Sequence, residues 1–174
     1  SCEELFEYSD YLASPTRGNA SEFITRAIED NCLELSGRDG YVNYIAKRPR
    51  AERSGTHGLF SSGDGAVDLA RVAETVADHP GNVWLPIISL RREDAARLGY
   101  DNAKQWKALL SSLAPQMAEA MQIPNSQFRW YAAFHDESHH PHIHMVCWSA
   151  DGRSGFLNKS GIASIKSALA KEIF

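Results

Sequence analysis

The 174-residue sequence predicts an α+β fold, a central and mainly antiparallel sheet with helices packed on one face, on three observations. Residues 128–135 and 142–148 are strand-like runs joined by a six-residue loop, the signature of a hairpin. Two stretches, one after residue 101 and one from residue 160, place apolar residues at helical spacing. Strands interspersed with long helices, including an antiparallel pair, imply a sheet that buries one face under those helices.

In chain order, residues 5–12 read as a first strand, and 19–31 as a helix with Phe23, Ile24, Ala27 and Ile28 at helical spacing. Residues 36–40 carry turn chemistry, and a short helix follows from Tyr41 until Pro49 stops it. Residues 53–66, rich in Gly and Ser, read as an exposed loop. Residues 67–78 have helical periodicity, 79–82 form a turn, and 83–90 a buried strand in which Pro86 demands an edge position or a bulge. Asp101 is the expected N-cap of the longest helix, whose stripe is Trp106, Leu109, Leu110, Leu113, Met117 and Met121, with Pro115 expected to kink it. The last helix puts Ile162, Ile165, Leu169 and Ile173 on one face.

No repeat, low-complexity tract or linker divides the chain, so residues 1–174 read as a single domain. At this length folding buries roughly 70% of the surface of the unfolded chain, and no disulfide or structural metal is required. From the lack of an initial Met and the ending within a helix, a domain excised from a longer protein is expected. No run approaches the roughly 20 apolar residues of a membrane helix, and no basic then apolar leader opens the chain, so membrane insertion is not expected. Cys2, Cys32 and Cys147 are odd in number and form no CxxC pair, which points to reduced thiols and a cytoplasmic setting. The net charge of -4 argues against nonspecific duplex binding, although a local basic face would suffice for it.

Histidine is distributed unevenly. Five of seven, His135, His139, His140, His142 and His144, fall in the segment FHDESHHPHIHM and its immediate surroundings. Alternation along a strand puts His142 and His144 on one face, about 6.6–6.8 Å apart. The preceding strand puts Arg129, Tyr131, Ala133 and His135 on one face and Phe128, Trp130, Ala132 and Phe134 on the other. If the strands pair, His135, His142 and His144 can converge on one cation and leave positions open for water or substrate. Neutral imidazoles leave the ion its full charge, an electrophile suited to phosphate. His139 and His140 are expected in solvent or facing substrate, and Asp136 and Glu137 could orient a ligand imidazole. A solvated, His-rich turn is the plainer alternative.

A His seven residues before an HxH resembles the metal motif of HUH endonucleases, specifically the conjugative relaxases. YVNYIAKRPRAERSGTHGLF and GNVWLPIISLRREDAARLGYDNAKQW are similar to segments of the MobL-like branch of MobP-type relaxases, and the likeness spans residues 41–174. It implies an HUH relaxase-like fold and a metal-dependent enzyme that nicks single-stranded DNA at an origin of transfer. A tyrosine attacks the scissile phosphate and leaves a 5'-phosphotyrosine and a free 3'-hydroxyl, which can later be religated. The family's pattern of Tyr-Ile followed by basic residues maps onto Tyr44-Ile45 with Lys47 and Arg48, with Tyr41 the second choice. Tyr8 and Tyr11 rank lower. Arg50 stands where relatives usually have Gly after the Arg-Pro pair, and residues 18–40 are longer than the pattern. The implied ions are Mn2+ or Mg2+, with Zn2+, Ni2+ or Co2+ also acceptable to imidazole. The implied partners are the origin strand, relaxosome accessory proteins and a type IV secretion coupling protein.

On a helix Tyr41, Tyr44 and Arg48 fall at i, i+3 and i+7 and share a face, so Arg48 could hold the phosphate that Tyr44 attacks. Lys47, Arg48, Arg50 and Arg53 form the densest basic run, and Arg129 and Tyr131 share the histidine face, where charge and stacking could hold a single strand. Two further readings use the same chemistry or none. A replication initiator or transposase of the HUH class usually places its histidines ahead of the tyrosine, the reverse of the order here. A non-catalytic metal-dependent DNA-binding domain predicts that metal changes affinity without cutting. A zinc hydrolase of small substrates is disfavoured by the lack of an HExxH arrangement.

Overall fold

The computed structural model describes residues 37–136 and 140–174. Within them the chain runs α1 (Gly37–Lys47), α2 (Leu69–Asp78), β1 (Val83–Trp84), β2 (Ile87–Ser89), α3 (Arg92–Leu98), α4 (Ala103–Ala120), β3 (Phe128–His135), β4 (His142–Ser149) and α5 (Lys159–Ile173). The strand expected at 5–12 and the helix expected at 19–31 lie outside these residues.

The sheet is antiparallel throughout and β4 is its centre. β3 pairs along one side of β4 over its whole length, from Phe128↔Ser149 to His135↔His142. β1 and β2 pair in succession along the other side. They are one run interrupted at Leu85-Pro86, as an imino acid that cannot donate to the ladder requires, and the Pro86 carbonyl still accepts from Met145 N.

Strand alternation sorts the side chains into two layers. Trp130, Ala132, Phe134, Ile143, Met145 and Cys147 pack against Trp106, Leu110, Leu113 and Met117 of α4 and against Ile165 and Leu169 of α5. Each large side chain buried in this way contributes about 1.5–3 kcal/mol. The two long helices meet closely at Gly161, where an added Cβ would collide with the Ala120 carbonyl oxygen. The expectation of helices on one face describes this layer. The opposite face carries a second, smaller layer that the sequence reading did not include. Val42, Ile45 and Ala46 of α1 and Leu69, Val72, Ala73 and Val76 of α2 cover Ala133, Val146, Val83 and Leu85.

Local boundaries moved in three places. The short helix already includes residues 37–40, which were read as a turn. Asp68 caps α2, its carboxylate accepting from Arg71 N. The cap of α4 is Asn102 rather than Asp101, with Oδ1 accepting from Gln105 N at 2.9 Å, and the helix runs on through Pro115. Gly99 ends α3 at φ 83°, a left-handed conformation suited to glycine. The 53–66 segment is largely exposed but pinned. Phe60 exchanges two backbone hydrogen bonds with Ala132, and Leu59 is buried.

Candidate active site

Register places the histidines. His135 and His142 are opposite one another, so they face the same way, and His144 lies two residues along β4. The His135 and His144 ring centroids are 4.3 Å apart and those of His142 and His144 6.1 Å apart. On the far side of β4, Ser89 pairs with His142 and Ile87 with His144. The Ser89 hydroxyl is buried and has no hydrogen-bond partner among the described residues.

α1 lies over this cluster and is tied to it twice. His135 Nε2 is 2.7 Å from the Ile45 carbonyl oxygen, so that nitrogen carries the proton and Nδ1 the lone pair of the neutral ring. The Tyr41 hydroxyl is 3.3 Å from His144 Nδ1, which leaves Nε2 as the ring nitrogen outside this contact. A metal-ligating imidazole characteristically donates its second ring N–H to a carboxylate, a backbone carbonyl or water, and the His135–Ile45 bond has that form. Burial drives the His142 pKa down to about 3 and that of His144 well below the ordinary imidazole range, and the adjacent imidazoles and Arg48 act in the same direction. Both rings are therefore neutral at pH 7, the form that ligates metal.

The donor chemistry thus fits a divalent ion. Among the described residues, however, no group of three or more His, Cys, Asp or Glu side chains is arranged to hold one. His135, His142 and His144 are brought together as rings without their nitrogens converging.

The two tyrosines separate. Tyr41 is buried with its hydroxyl at His144, whereas Tyr44, one turn on, is 39% exposed. The Arg48 guanidinium lies 5.2 Å from the Tyr44 ring centroid, and its charge also reaches His142 and His144. Tyr44 and the imidazoles therefore share one cation. Among the other basic residues, Lys47 and Arg50 are exposed at the end of α1. Arg53 instead donates to the Lys47 carbonyl at 2.9 Å, closing the C-terminal turn of α1. Arg129 donates to the carbonyls of Ser126 and Phe128, and Tyr131 stacks on Trp148 with centroids 5.8 Å apart.

Asp136 forms an ion pair with Arg92 at 2.7 Å, and the orienting acceptor of His135 is a backbone carbonyl. Glu137 and His139 lie outside the described residues. His140, expected in solvent or facing substrate, is not in solvent but buried beside His142. Leu90 N, far away in sequence, donates to the Pro141 carbonyl, which draws the end of the loop onto the sheet. His140-Pro141 was the available signal, because the residue before proline is held extended and continues the direction of the strand.

A family model described as MobL relaxases matches residues 7–174. No curated protein and no solved structure matches the chain.

Proposed function

The chain belongs to the MobL relaxases, and from that premise we propose that it nicks single-stranded origin-of-transfer DNA with Tyr44 as nucleophile. A relaxase acts on DNA, and no helix among the described residues is long and apolar enough to cross a membrane. The observation that carries the finer reading is the pair of hydrogen bonds, His135 to Ile45 and Tyr41 to His144, that join the tyrosine helix to the histidine strands.

In this reading the Tyr44 oxygen forms a bond to phosphorus while the bond to the 3'-oxygen breaks, and the departing oxygen takes up a proton. The partial exposure of Tyr44 lets a strand reach it. A free phenol with pKa near 10 carries a handicap of roughly 4 kcal/mol at pH 7 that a phosphoryl-transfer site must offset, and the Arg48 guanidinium stacked over the Tyr44 ring is the cation at hand for the phosphate it attacks. His135, His142 and His144 would hold a divalent ion, Mn2+ or Mg2+, whose charge offsets that building on the phosphate oxygens. Lys47 and Arg50 flank the path of the strand, and Tyr41 holds His144. Religation reverses the attack and needs no nucleotide cofactor. The setting would be the bacterial cytoplasm, with relaxosome accessory proteins and a coupling protein as partners.

Tyr41 is the second reading for the nucleophile, because its hydroxyl is the one that touches an imidazole. Incubation of the protein with origin oligonucleotides and Mn2+, followed by denaturing gels, separates the two. Tyr44→Phe should abolish the covalent adduct and leave binding intact, and His142→Ala should remove metal binding and cleavage together. Metal-dependent binding with no adduct in the wild type would overturn the proposal in favour of a non-catalytic DNA-binding domain.

A further inference from the structure

At the other end of the same sheet face lies a cavity of about 670 Å³ that the nicking chemistry does not use. Its floor is Tyr131 and Trp148, stacked with rings 16° from parallel, and the His79 ring stands 6.3 Å from Trp148. Arg71 and Thr75 of α2 form one wall and Arg129 another. The site is held from behind. Arg38 donates to the carbonyls of His79 and Gly81, which fixes the turn after α2, and the Asp68 carboxylate is engaged in capping that helix. The volume falls within the roughly 300–1,000 Å³ of small-ligand pockets.

We propose that this cavity takes one unstacked nucleobase of the DNA strand, stacked on Tyr131, with Arg71 and Arg129 holding the flanking phosphates. Aromatic rings backed by cations are the chemistry that grips single-stranded nucleic acid, since every base has a π-face and every linkage a charge. Tyr131 is four residues from His135 along β3, and Trp148 four from His144 along β4, so the pocket lies about 13 Å from the imidazoles. At the 3.4 Å rise of a stacked strand that is roughly four nucleotides, and fewer if the strand is extended. The bound base is therefore a few nucleotides from the scissile phosphate, and it sets register.

The inference rests on the single-strand reading, but its test requires no cutting. Binding of oligothymidylate and of an abasic sugar-phosphate oligomer of equal length is compared by fluorescence anisotropy. The wild type should prefer the oligomer with bases by roughly tenfold. Tyr131→Leu should erase that preference while keeping abasic affinity within about twofold, and Tyr131→Phe should retain it. In the wild-type protein a strand bearing 5-iodouracil should crosslink at Tyr131, Trp148 or His79. The proposal is overturned by a wild type without preference, by an undiminished preference in Tyr131→Leu, by an equal loss for both probes, or by crosslinks confined to other residues. If Tyr131→Leu fails to fold, the wild-type crosslink decides. Binding of neither probe overturns both this proposal and the nicking reading. An intact base preference without a tyrosine adduct on origin DNA overturns the nicking reading alone.

Discussion

Tyr41→Phe is the substitution that measures how firmly α1 is coupled to the histidine strands. It removes one hydroxyl, 3.3 Å from His144 Nδ1, and keeps the ring that packs in the core. A net hydrogen bond is worth about 0.5–1.5 kcal/mol, and leaving a buried polar partner unsatisfied costs about 1–3 kcal/mol. His144 is buried, so the larger figure governs and a loss of about 1–3 kcal/mol is expected. With a urea slope of about 2 kcal/mol per molar, the unfolding midpoint should fall by about 0.5–1.5 M. A group that only positions His144 should slow adduct formation by about ten- to a hundredfold without abolishing it. The assays are urea unfolding followed by circular dichroism and a time course of adduct on denaturing gels. Wild-type stability and rate in Tyr41→Phe would refute the coupling. Complete loss of adduct in Tyr41→Phe, with normal labelling in Tyr44→Phe, would exchange the roles of the two tyrosines.

Stability should also depend on pH through the imidazoles. Burial holds the His142 pKa at about 3 against the ordinary 6.5, so its contribution is complete above about pH 6.5 and is lost as pH falls toward 3. Between about pH 6.5 and pH 5 His142 alone should remove about 2 kcal/mol, with His144 acting in the same direction. Urea titrations at both pH values should show a shallower dependence in His142→Gln, and an unchanged slope would contradict the assignment. Gly161→Ala should destabilise despite a helix-propensity gain of about 1 kcal/mol, because the new Cβ meets the Ala120 backbone rather than a flexible side chain. A thermal midpoint equal to or above that of the wild type would show that α4 and α5 can separate at no cost. Asn102→Ala should cost about 1 kcal/mol through the lost cap of α4, whereas Asp101→Ala should cost much less, and equal effects would contradict the cap assignment.

The hairpin was legible because its alternation is strict. Residues 128–135 and 142–148 differ from β3 and β4 only at Ser149, and the division of faces follows from parity alone. That Pro86 perturbs its strand was equally readable, since it follows from a missing donor, but the expected form was an edge or a bulge in one strand rather than a break into two. What sequence could not supply was the destination of α1 and α2. Their apolar spacing states that each has a buried side, not which face of the sheet receives it. The same ambiguity grouped Tyr41 with Tyr44. Three helical residues subtend about 300°, so positions i and i+3 share a face only loosely, and the edge of the core falls between them. His140 escaped because a residue in a loop was taken as wet, while its burial depends on a distant backbone bond to Leu90. The convergence of three imidazole nitrogens is finer than any strand rule, since it depends on ring rotations.

The segment that carries the basic residues also has a protective role. Arg50 and Glu52 bond to Asp136 and Phe134, Phe60 bonds to Ala132, and the Ser61 hydroxyl donates to the Trp130 carbonyl. These contacts satisfy the outward peptide groups of β3, which would otherwise offer a template for pairing with another chain. Proteolysis or substitution that loosens this strip would expose a hydrogen-bonding edge backed by an apolar sheet. Self-association and loss of solubility would then accompany loss of the basic residues from their place beside α1.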